Sequence, residues 1–125
     1  MERVIDLDRA ATVLTERGAR WRAAGLVVAR ATWRDATAPW PQRLETDRAV
    51  VPDPDSVGVL VSGPADAELS VVLFRGGWAD VDYIDGRGEG GPIPANEIGS
   101  AADFAARLDQ WVARVFGDIG FSLCR

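Results

Sequence analysis

The chain has 125 residues, 47% hydrophobic and 26% charged, enough for one packed core and too apolar for a disordered segment. Fourteen basic against nineteen acidic residues give −5, a balance that disfavours nucleic acid and suits a basic partner. There is no His, which removes the commonest general base, metal ligand and pH switch together, and no apolar run is long enough to span a bilayer.

All fourteen basic residues are Arg, so Arg fills the surface roles that Lys would otherwise share. The start, MERVIDLDRA, is charged and lacks a basic leader followed by an apolar run. With the lone Cys124, which has no internal disulfide partner, it points to the cytoplasm.

The first predicted element is a helix over residues 7–22. Leu7, Ala11, Leu14, Gly18 and Trp21 fall on one face, Asp6 or Asp8 can cap the start, and Gly25 can stop it. Residues 26–34 read as a strand with Val27, Ala29, Ala31 and Trp33 on one side, or as a continuation of the helix to Arg30. Residues 35–56 are irregular. Pro39, Pro41, Pro52 and Pro54 each remove an N–H, and a short edge strand fits near residues 48–51.

Val57, Val59 and Val61 mark the next strand, and Gly63-Pro64-Ala65-Asp66 a turn. Residues 69–74 are apolar on both faces, as in a central strand covered by helices. Gly76-Gly77 suggests a tight hairpin turn made by two positive φ angles. The return strand, residues 78–84, alternates Val81 and Tyr83 with Trp78, Asp80 and Asp82, so one side is buried and the other wet.

Ser100 opens the last helix with a capping-box spacing to Asp103. Ala101, Phe104, Leu108, Trp111, Val112 and Val115 form its apolar stripe, and Gly117 ends it. Residues 121–123 add a short strand or trail. The order predicts a single α+β domain: an antiparallel sheet of about four to five strands with an N-terminal and a C-terminal helix packed on it.

Gly86-x-Gly88-x-x-Gly91 matches a dinucleotide-binding fingerprint in letters. Pro92 and Pro94 follow where the helix N-terminus should be, and Glu89 would face a phosphate, so no nucleotide is expected. Asp80-x-Asp82-x-x-Asp85-Gly86 misses the calcium-loop pattern by one position and lacks the closing Glu, so no metal is expected. Asp80 and Asp82 sit about 7 Å apart by strand geometry, with nothing to bury either one for acid–base work. No cofactor, no catalytic residue and no enzyme activity are expected. Trp21, Trp33 and Trp111 read as core; Trp40 and Trp78 read as surface anchors.

The Gly-Gly-Trp78 turn with its acidic strand, and the closing Phe104-x3-Leu108-x2-Trp111-x4-Phe116-Gly117, resemble small actinobacterial immunity proteins of polymorphic toxin systems. That resemblance covers the last third of the chain. It implies a cytoplasmic protein that binds and blocks a basic toxin domain, with Trp78, Asp80, Asp82, Asp85 and Glu89 as the contact face and Trp40 as a second anchor. The helix–sheet–helix order also resembles small secretion chaperones, which implies an adaptor that holds client proteins in an apolar groove.

Overall fold

A computed structural model describes residues 3–117; Cys124 and the terminal segment at residues 121–123 lie outside the described residues. Helix α1 spans Leu7–Ala23, and the Asp6 carboxylate caps it by accepting from the N–H groups of Asp8 and Arg9. Asp8, the other candidate cap, instead pairs with Arg48 at 2.8 Å. The helix stops at Gly25, whose φ of 95° only glycine adopts freely. There the N–H groups of Gly25 and Leu26 donate back to the carbonyls of Arg22 and Trp21, satisfying two end-of-helix acceptors. Leu7, Ala10, Leu14, Gly18 and Trp21 are buried; Ala10 takes the core place expected of Ala11, which is half-buried.

The predicted strand over residues 26–34 divides into β1, Val27–Val28, and β2, Thr32–Asp35. Both pair with β3, Pro54–Ser62, on the same edge. Val28 faces Val61 and Thr32 faces Gly58, so residues 29, 30 and 31 oppose only residues 59 and 60. This extra residue bulges the edge and breaks the alternation. Trp33 is buried as expected, whereas Val27, expected on the same side, is 69% exposed.

The edge strand expected near residues 48–51 is instead a single 3-10 turn, Arg48–Val50. The Asp47 carboxylate accepts from the Ala49 N–H and bends the backbone away from extension.

Strands β4, Glu68–Phe74, and β5, Trp78–Ile84, pair in full register beside β3. A short β6, Gly90–Pro92, completes the sheet in the order β1/β2, β3, β4, β5, β6. The β4–β5 turn has three residues, Arg75 to Gly77, between paired Phe74 and Trp78. Only Gly77 of the two glycines takes a positive φ, 89°, so the two-glycine turn gives way to a longer hairpin closed by one left-handed residue.

Helix α2 spans Ala101–Phe116, with Ser100 Oγ accepting from the Asp103 N–H and the Asp103 carboxylate reaching back to the Gly99 N–H. Both helices pack together and on the same side of the sheet, α1 on β3 and α2 on β4. Val57, Val61, Leu69, Leu73, Phe104 and Leu108 are wholly buried between these layers. Arg17 of α1 holds Asp109 of α2 through two hydrogen bonds of 2.9 and 3.3 Å. No helix among the described residues is long and apolar enough to cross a membrane.

Candidate interaction face

Strand alternation decides what the other side of the sheet carries. With Val57, Val59, Val61, Leu69, Val71, Leu73, Ala79 and Val81 turned to the helices, the intervening residues point the opposite way. The registers place them in cross-strand rows. One row runs Arg34, Ser56, Phe74, Trp78; the next runs Thr32, Gly58, Val72, Asp80. A third carries Leu60, Ser70 and Asp82, and the last Val27, Ser62, Glu68 and Ile84. No helix among the described residues covers this face.

The apolar second face of β4 was expected to lie beneath helices. Instead Val72 and Phe74 stand on the uncovered side, flanked by Leu60 at 39% exposure and Ile84 at 51%. Phe74 and Trp78 stack with ring centroids 4.0 Å apart and planes 13° from parallel. The stack holds Trp78 in one orientation, still 37% exposed.

Trp40 reaches the Arg34 end of the first row from the loop after β2. The loop after β2 is pinned where the Asp35 carboxylate accepts from the Thr37 N–H and hydroxyl, and where Gln42 Oε1 accepts from the Asp35 N–H. Donation by the Thr37 N–H, then by its hydroxyl, holds the Asp35 carboxyl below its ordinary 3.8. From this loop Trp40 lies under the Arg34 guanidinium at 5.8 Å and remains 75% exposed. The two exposed tryptophans thus flank one sheet face about 14 Å wide from β2 to β5, three strand spacings.

Asp80 and Asp82 lie beside Trp78 on that face, as the alternation predicted. The described residues contain eight ion pairs. None includes Asp80, Asp82 or Glu68, so among the described residues these three carboxylates of the uncovered face have no ion-pair partner, as is also true of Glu16 on α1.

Asp85 has a different role. One of its oxygens accepts from the N–H groups of Arg87 and Glu89, at 2.9 and 3.0 Å, and its carboxylate pairs with the Arg87 guanidinium at 3.7 Å. Donation by the Arg87 N–H, and then by that of Glu89, holds the Asp85 carboxyl below its ordinary 3.8. Asp85 therefore shapes its own loop. Glu89 is exposed, and its carbonyl accepts from the Asp85 N–H.

The Pro92-Ile93-Pro94 run, which rules out a phosphate-binding helix, carries the chain on from the end of β6 alongside β5. The Ile93 N–H donates to the Val81 carbonyl and the Ala79 N–H to the Ala95 carbonyl. By alternation the backbone at Pro92 and Pro94 faces outward, where proline leaves no donor for a further strand. On the opposite edge Trp33 is bridged to Glu45. Prolines thus blunt one edge and the Trp33–Glu45 bridge covers part of the other.

Arg34, Leu60, Val72 and Phe74 were missed as site residues. The apolar second face of β4 was the available signal for two of them. Among the described residues no cluster of three His, Cys, Asp or Glu side chains is placed to hold a metal. No protein family, curated protein or solved structure matches this chain.

Proposed function

We propose that this protein is an immunity-type inhibitor. It binds a cognate basic toxin domain one to one in the cytoplasm and neutralises it by covering it, without catalysis. The observation that carries the reading is the uncovered sheet face, on which a Phe74–Trp78 stack stands beside three unpaired carboxylates. A rigid aromatic pair buries a large area at little conformational cost, and surplus negative charge speeds encounter with a positive surface. Trp40 supplies a second anchor across the face. Expression with the product of the adjacent reading frame is the direct test. A stable complex and rescue of growth are expected; neither complex nor rescue overturns the proposal.

The alternative is a chaperone-like or adaptor module, favoured by Leu60, Val72 and Ile84, which extend the apolar lane beyond the aromatic stack. It predicts capture of unfolded client segments with little dependence on salt, whereas the inhibitor reading predicts strong dependence.

A further inference from the structure

On the helix side of the sheet, between α1 and the bulged edge, lies a cavity of about 270 Å³. Its floor includes Leu14, Trp33 and Val59, core side chains left at 4%, 4% and 6% exposure. Arg22, Arg30, Arg48, Thr15 and Thr46 also line it at its rim, and no Asp or Glu does. Arg48 is neutralised by Asp8, which leaves Arg22 and Arg30 as cations without a paired carboxylate at the hollow, within a chain of net charge −5.

The three cations come from separate segments, and two are held in place. Arg48 donates to both Asp8 oxygens and to the Val51 carbonyl, and its guanidinium lies 5.2 Å from the Trp33 ring centre. Arg22 donates to the Val28 carbonyl at 3.1 Å. It crosses there over Gly18, where an added Cβ would lie 3.6 Å from Val28 Cγ1 and 3.8 Å from the guanidinium. Arg30 stands on the bulge and makes no hydrogen bond or ion pair among the described residues. Regular alternation from Val28 already turns Arg30 to the helix side, and the extra residue of the bulge lets Trp33 take that side as well.

We propose that this cavity binds a small organic carboxylate. The ligand's apolar body rests against Leu14, Trp33 and Val59, and its carboxylate meets the forked donors of Arg30 and Arg22, with hydroxyls nearby. A bare inorganic anion would satisfy the rim and gain nothing from the floor. The site is separate from the uncovered face, so it stands or falls independently of the inhibitor reading.

The test is an amide NMR titration of the whole protein with phenylacetate, phenylacetamide and inorganic phosphate. Saturable shifts confined to Thr15 and residues 28–33 are expected with phenylacetate, at a Kd of about 1 mM or below. The neutral amide and phosphate should each bind about tenfold more weakly or worse. Arg30→Glu, at an exposed position, should weaken phenylacetate about tenfold while leaving distant resonances in place. Equal binding of acid and amide, equal binding of phosphate, or no saturable shift at these residues overturns the proposal. The acid–amide comparison uses the unaltered protein and does not depend on the variant folding.

Discussion

On the proposed reading, Trp78 separates folding from recognition at the level of one side chain. It lies on the solvent side of a sheet whose core is sealed from the other side, so its contribution to stability comes mainly from the Phe74 stack. Trp78→Ala should cost about 1 kcal/mol in a denaturant melt, yet weaken partner binding by about thirtyfold or more. Equal losses in the two measurements would place Trp78 outside the interface. Asp85 gives the opposite case, a residue whose charge serves its own loop. Its folded carboxyl titrates below the ordinary 3.8. The stabilisation it supplies is complete above the unfolded value and is lost as pH falls through the lower folded one. The protection of the Arg87 and Glu89 amides against exchange, relative to their intrinsic rates, should therefore fall as pH drops below about 3.8. Asp85→Asn, which keeps an acceptor but does not titrate, should remove that step from the pH profile.

Among the elements, the edges carry the sharpest prediction. Pro92 and Pro94 leave the outer side of β6 and its extension without donors. Pro92→Ala together with Pro94→Ala restores two outward N–H groups beside exposed backbone carbonyls. The doubly substituted protein should self-associate more with concentration than the unaltered chain, measured by light scattering after size exclusion. An unchanged mass across the same range would show that the prolines are not what blunts this edge. The same elements explain what could be read in advance. Helices α1 and α2 and strands β3 to β5 were legible because their periodicity and caps are local, and local patterns survive in a sequence. The β1–β2 edge was not, because one extra residue at the bulge inverts the alternation that would identify it. The turn at Arg48–Val50 was read as strand because side-chain capping by Asp47 outweighed the β-branched and apolar composition.

For the molecule as a whole, the uncovered face carries one patch of unpaired negative charge. Ion pairs tie α1 to α2 and to the loops around them, while Glu68, Asp80 and Asp82 are left bare on the uncovered side. Asp80→Arg with Asp82→Arg changes the net charge by two units at each position, from −5 to −1. Neither residue is buried, so the fold should lose no more than about 0.5 kcal/mol. Association with a basic partner should slow severalfold at low salt, and its dependence on ionic strength should flatten. Unchanged kinetics by stopped flow would remove the acidic face from recognition. The common orientation of Trp78, Asp80 and Asp82 was legible from strand alternation alone. The arrival of Arg34 and Phe74 in the same row, with Trp40 at its Arg34 end, was not, because it depends on registers between strands distant in sequence and on the path of a proline-rich loop.

The tryptophans fall into two optical populations. Trp21, Trp33 and Trp111 are between 3% and 5% exposed, while Trp40 and Trp78 stand in solvent. Acrylamide should quench only the second pair. Caesium, drawn toward Asp80 and Asp82, should quench Trp78 more efficiently than iodide, which those carboxylates repel. The ratio of the two ionic quenchers reports the local potential at the face without any label, and its collapse on adding a partner would register the moment the sheet acquires its missing layer.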